Sequence, residues 1–295
     1  MEKLIGLEST DYEHPDDKKA LDRLKNNVAF RKIMTEVIRQ GVERIYRIQY
    51  TGSCLKVDQD DYPSIYKILG DATTTLGLDT QKNLIPELYL QYDYTINAFT
   101  TGETKPILVL NSGTLDLLER DEQTYIIGHE LGHILSHHVL YHMIVTSLAS
   151  FIDLGSLINT AIQLPLFYWY RMSELTADRA GLLACQDLRA CIRAMIKMAG
   201  LPESQYNKIN VQAFIDQAHD FNTKNTGFLD ESFKFVAIAN SMHPWLVMRA
   251  AELLKWVESG DYDRVLKLRG AMICPHCDNE KAAGVPICPY CGQPS

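Results

Sequence analysis

Between Tyr125 and His142 the chain reads YIIGHELGHILSHHVLYH, which sets five histidines and one glutamate among isoleucines and leucines. Ile126, Ile127, Leu131, Ile134 and Leu135 recur at helical spacing, so the stretch predicts an apolar helix. Asp121 is a reasonable N-cap and Glu122 a favourable first-turn residue, and the helix is expected to run to about Tyr141. On it His129 and His133, four residues apart, present their rings on one face about one turn from each other, close enough to share a cation. Glu130 falls beside that face.

This is the HExxH arrangement, in which two neutral imidazoles bind zinc and the glutamate, not itself a ligand, accepts a proton from the attacking water. A catalytic zinc takes a third protein ligand and keeps one position open. The stretch YRMSELTADRAGLL, 170 to 183, offers Glu174 as that ligand. One turn on, Asp178 is placed to accept a hydrogen bond from the outer nitrogen of a ligand histidine, which fixes its tautomer. The plainer alternative is a solvated helix face shared with Arg171 and Arg179. His137, one further turn along the first helix, and His138 read as packing or hydrogen-bonding residues rather than ligands, and His14, His142 and His219 as ordinary ones.

A second metal-binding pattern stands near the C-terminus. Cys274, Cys277, Cys288 and Cys291 form two CxxC pairs with ten residues between them. Each pair suits a knuckle on one tetrahedral zinc, and a module this small depends on the metal to fold. Asp278 stands where a glycine often follows the first knuckle. The stretch 258 to 271 reads as a connector.

With 46% hydrophobic and 22% charged residues, 295 residues suffice for one large domain and a small appendage, or for two ordinary domains. The net charge of -8 argues against nucleic acid as a partner. The first residues lack the pattern of a secretory signal, and Cys54, Cys185 and Cys191 suggest no disulfide scheme, so a cytoplasmic location is expected. Two helices are predicted over 16 to 50 and one from Tyr62 to Leu76. A small antiparallel sheet is expected between Leu88 and Leu110, its Asn97–Thr101 or 106–110 segment able to hold peptide by strand addition. Residues 143 to 170 carry one charge, Asp153. They read as a docked helical pair in preference to a membrane contact. Helices are predicted again over 172 to 199, 211 to 222 and 244 to 256, with a loop at 222 to 230.

Together with HELGH and SELTAD, the stretches NAFTTG (97–102), ILVLNSGTLDLL (107–118) and SMHPWLVMR (241–249) make the chain resemble the zinc metallopeptidases that include HtpX and the type I CAAX prenyl proteases, most of all their soluble bacterial members. The resemblance implies a mainly α, α+β fold: a helical metallopeptidase domain with a small antiparallel sheet, and here a C-terminal zinc ribbon. It also implies Glu174 as third ligand, and His243 and Arg249 lining the site, with His243 stabilising the oxyanion or capping the metal. Substrate would pair along an edge strand, near Asn97, Ala98 and Phe99. The expected organisation is an N-terminal helical region to residue 70, the peptidase domain at 71–258, a linker at 259–272 and the ribbon at 273–295. The expected function is a zinc endopeptidase holding two zinc ions, one at His129, His133 and Glu174 and one at the four cysteines. Its partners would be peptide or unfolded protein, and another protein through the ribbon. The alternatives are a catalytically silent zinc-binding adaptor and a membrane-associated protease anchored through 143–170.

Overall fold

A computed structural model describes residues 1–39, 41–80, 84–150, 160–224 and 245–294. The chain opens with α1 (Ser9–Tyr12), α2 (Pro15–Lys25), α3 (Val28–Arg39) and α4 (Val42–Ser53). Three helices thus occupy the stretch where two were predicted. The extra break comes at Asn27, whose side chain accepts from the amides of Ala29 and Phe30 and so restarts the helix. Pro63 begins α5 (Pro63–Thr75), as expected of a residue without an amide proton to satisfy.

A four-stranded sheet follows, built from β1 (Leu55–Val57), β2 (Glu87–Gln91), β3 (Ala98–Thr101) and β4 (Ile107–Asn111) in the order β1-β2-β4-β3. It is mixed rather than wholly antiparallel. β3 takes the outer position, so β4 runs parallel to β2 while pairing antiparallel with β3. Both faces are covered. Leu88, Leu108 and Leu110 enter the main core, whereas Tyr89, Ile107 and Val109 form a second cluster with Tyr50 and Phe99. Because Thr100 pairs with Leu108 and Phe99 with Val109, the strand's alternation turns Thr100 toward the main core and Phe99 away from it.

Next come α6 (Ser112–Leu117), α7 (Arg120–Leu135), α8 (Val139–Ser150) and α9 (Thr160–Cys185). The HExxH helix α7 is capped by Glu119, not Asp121, through a reciprocal box with Glu122. It also ends six residues earlier than predicted, because His137 adopts a left-handed φ of 55° that a continuing helix does not allow. The 143–170 segment contributes to α8 and α9, with 151–159 outside the described residues. Among the described residues no helix is long and apolar enough to cross a membrane.

α7 and α9 pack with their backbones nearly touching. A methyl group on Gly132 would come 2.5 Å from the Cβ of Ala180, and one on Gly128 would collide with Ala184. The small residues of one helix thus seat against those of the other, which brings Glu174 of α9 across to the histidines of α7.

The chain continues through α10 (Leu188–Met198), α11 (Val211–Lys224), α12 (Leu246–Glu258) and α13 (Asp261–Arg269) to a hairpin of β5 (Ala271–Ile273) and β6 (Glu280–Ala282). A left-handed φ of 50° at Gln186 separates α9 from α10, within the stretch predicted as one helix. Within the predicted loop, residues 222–224 belong to α11 and the rest lies outside the described residues. The expected connector contains α13, whose Val265 is buried. The N-terminal segment straps this region to the body: Leu4 donates to the carbonyl of Thr75, Ile5 to that of Arg269, and Ala271 to that of Lys3.

Candidate metal centre

Two turns of α7 and one of α9 bring His129, His133 and Glu174 together, all at least nine-tenths buried. The Nε2 atoms of the two histidines lie 3.2 Å apart. His129 Nε2 is 3.5 Å from Glu174 Oε2 and His133 Nε2 is 3.5 Å from Oε1. Ligands about 2.0–2.1 Å from a tetrahedral zinc lie roughly 3.3–3.4 Å from one another, so the three donors fit three corners of such a site. All three residues line a cavity of about 850 Å³, which would leave room for water or substrate beside a bound ion.

The outer atoms of these ligands are also held. His129 Nδ1 lies 3.0 Å from Asp178 Oδ1. Tyr125 donates to the same oxygen at 2.6 Å, and Arg249 forks onto both oxygens of Asp178, its Nε at 2.8 Å from Oδ2. Arg249 Nη1 is also 3.4 Å from Glu174, so α12 neutralises two carboxylates of α9 with one guanidinium. Burial would raise Asp178, but Arg249 outweighs it and holds the carboxyl at about 2. His133 is pushed down to about 4, chiefly by burial, and so is kept neutral. Burial would lower His129 as well, but its hydrogen bonds to Asp178 and Glu174 prevail and lift it to about 9.

His133 is held differently. Its Nδ1 lies 3.0 Å from Nδ1 of His138, and His138 Nε2 lies 3.0 Å from Asp17 on α2. His138, like His133, is buried, and Asp17 is wholly enclosed. His137 by contrast is exposed, because the left-handed turn carries it off the helix face. His142 is not an ordinary residue: it lines the cavity, stacks on Tyr170 at 4.1 Å and sits 4.4 Å from the His133 ring.

Glu130 lines the cavity and is buried, and that burial pushes its carboxyl above the ordinary range. Thr100 of β3 donates to Glu130 Oε2 at 2.8 Å. β3 is an edge strand, and residues 96–101 line the cavity, so the free edge is the Asn97–Thr101 segment rather than 106–110, whose strand β4 is paired on both sides. Asn97 turns its own backbone inward, donating to and accepting from Thr114. Phe99 packs on Tyr50 at 5.0 Å. His243 lies outside the described residues.

The four cysteines form a separate cluster that shares no residue with the histidine groups. Sulfurs about 2.3 Å from a tetrahedral zinc are roughly 3.8 Å apart. Cys274 and Cys291 are 3.8 Å apart, and Cys277 and Cys288 3.7 Å. Asp278 sits at a φ of 58°, the conformation for which glycine is the usual choice.

Sequence reasoning missed Thr100, Tyr125, Asp17 and His142. The glycines of GHELGH and the small residues of TADRAGLLA, spaced to face each other, carried a signal for the α7–α9 contact.

Known proteins point the same way. The chain is 26% identical over 271 residues to a chloroplastic plastoglobule-localized metallopeptidase 48 from Arabidopsis thaliana, covering 88% of this chain and 76% of that one. It is 25% identical over 177 residues to a protease HtpX homolog of Helicobacter acinonychis, covering 50% and 57% of the two chains. With an HtpX homolog of Thermococcus kodakarensis the identity is 31% over 117 residues, covering 39% and 35%. No solved structure matches with significance. The sequence pattern of peptidase family M48 matches residues 63–257, well over half of the chain and inclusive of the whole histidine and glutamate cluster, and the chain therefore belongs to peptidase family M48, a family of metallopeptidases.

Proposed function

We propose that the chain is a zinc-dependent endopeptidase that cleaves extended or unfolded polypeptide, with zinc held by His129, His133 and Glu174 and with Glu130 as general base. The observation that carries this reading is the meeting of those three donors with Glu130 in the lining of one cavity beside an edge strand. When bound, zinc supplies a Lewis acid that polarises the scissile carbonyl and acidifies the attacking water.

The remaining steps belong to the chain's own groups. Glu130 takes the water's proton at its carboxylate and passes it to the leaving amine nitrogen. Thr100 fixes that carboxylate by donating its hydroxyl to Oε2. The outer edge of β3 offers backbone donors and acceptors to a substrate strand, a contact that depends little on side-chain identity and suits unfolded protein. Asp178, with Arg249 and Tyr125, orients His129. His243 is a further candidate for the oxyanion. The four cysteines hold a second, structural zinc with no open position, and the ribbon is available to another protein.

Glu130→Gln is the direct test. The amide keeps the shape and cannot accept the proton, so the variant should retain zinc and its fold while cleavage of a peptide library falls by about 10²–10⁴-fold. Turnover near the wild-type rate would remove Glu130 from the mechanism.

A further inference from the structure

The hydrogen bonds around His133 have a direction that the chemistry fixes. For Nε2 to ligate, the ring proton must sit on Nδ1, and His138 Nδ1, 3.0 Å away, must then accept it. His138 accordingly carries its own proton on Nε2, which points at Asp17 Oδ2 at 3.0 Å. Asp17 is held in turn by donors only. Trp169 Nε1 donates to Oδ1 at 2.9 Å, and the Thr176 hydroxyl donates to Oδ2 at 2.6 Å. The Thr176 oxygen also accepts from the His14 amide. In this arrangement Trp169, Thr176 and His138 all donate to the carboxylate, and of the three the indole can do nothing else.

We propose that Asp17 is a positioning residue for the metal centre: acting through His138, it holds His133 in the tautomer whose Nε2 is free to bind the metal, so that α2 is part of the catalytic unit although it lies outside residues 63–257. The proposal rests on the zinc reading above and adds to it a group on a different helix, more than a hundred residues away in sequence.

Asp17→Asn makes the direction testable. The indole nitrogen of Trp169 can only donate and cannot rotate, so the amide oxygen must face Trp169 and the amide nitrogen must face His138. His138 then accepts at Nε2 and carries its proton on Nδ1, where it meets His133. His133 must accept there, and its own proton moves to Nε2, the ligating atom. Thr176 gives no such constraint, because its hydroxyl oxygen keeps a second lone pair that can accept from the amide nitrogen. Replacing Trp169 as well, in Asp17→Asn with Trp169→Phe, frees the amide to flip and present oxygen to His138. That pair of changes removes more packing yet should restore the ligand.

The experiment uses the full-length, zinc-loaded chain and measures zinc affinity at the histidine site by chelator competition, with ribbon zinc as the internal reference. Asp17→Asn should bind site zinc about 10- to 100-fold more weakly, with ribbon zinc unchanged, and the double variant should recover most of the loss. Equal affinity in Asp17→Asn and wild type, or a double variant no better than the single one, would overturn the proposal. A readout free of any folding defect comes from ¹⁵N-histidine spectra of the wild-type protein, in which His138 should carry its proton on Nε2. A proton on Nδ1 would also overturn it. If the wild-type chain bound zinc at the ribbon alone, the zinc reading itself would fall, whereas wild-type loading that ignores Asp17→Asn would remove only the relay.

Discussion

The hydroxyl of Thr100 on edge strand β3 donates to the carboxylate of Glu130 on α7 at 2.8 Å, joining the strand expected to hold substrate to the group expected to move the proton. Thr100→Val keeps the shape and removes that bond. A hydrogen bond to a charged group contributes about 1.5–3 kcal/mol, so kcat should fall about tenfold or more with zinc content and KM little changed. Steady-state cleavage of a short peptide measures it, and an unchanged kcat would leave Thr100 a packing residue.

The guanidinium of Arg249 meets the carboxylates of both Asp178 and Glu174. Arg249→Ala leaves those buried carboxylates without it and should lower stability by about 3–5 kcal/mol in urea titrations. Arg249→Lys restores the charge without the fork and should fall between the two. A loss under about 1 kcal/mol for both variants would refute this account of the pair.

Asp178 is held at about 2, below its ordinary value of 3.8. Its contribution to stability is whole above pH ~4 and drains away as pH falls through about 2, because the unfolded chain takes up the proton first. The drop from 3.8 to about 2 corresponds to about 2.5 kcal/mol. Urea titrations stepped from pH 5 to pH 3 should show stability falling more steeply in wild type than in Asp178→Asn. Parallel slopes would mean that Asp178 is not ionised ahead of the unfolded chain.

Cys288→Ser should lower zinc content from two ions per chain to one, with small-peptide cleavage preserved. The lost ion belongs to the closed thiolate site, and the histidine site shares no ligand with it. Metal analysis beside a peptide assay decides the matter: two ions in the variant would exclude the ribbon site, and loss of cleavage in a folded variant would make the ribbon part of the catalytic unit.

Groups set by local periodicity were legible in the sequence. The i, i+4 spacing of His129 and His133, the same spacing of Glu174 and Asp178, and the two CxxC pairs each fix relative placement within one helix or knuckle. What sequence spacing did not give is direction across elements. Thr100 reaches Glu130 only because the β3 register turns even-numbered residues toward α7, and that register depends on β3 taking the outer place in the sheet. Asp17 reaches His138 only through the packing of α2 on α9, where Trp169 and Thr176 sit. The early end of α7 was hidden for a different reason: histidine and serine carry little helix-breaking signal, and a left-handed residue is seldom anything but glycine or asparagine.

The strap that joins residues 3–5 to Thr75 and to Arg269–Ala271 has a consequence for how the molecule is made. At roughly 5–20 residues per second, a ribosome delivers Gly270 some 13–50 s after Leu4. Throughout that interval Leu4, wholly enclosed in the finished protein, lacks the partner that bridges to it. Closure of this contact spans nearly the whole chain and carries a high loop-closure cost, which makes it a late event in synthesis and in refolding alike.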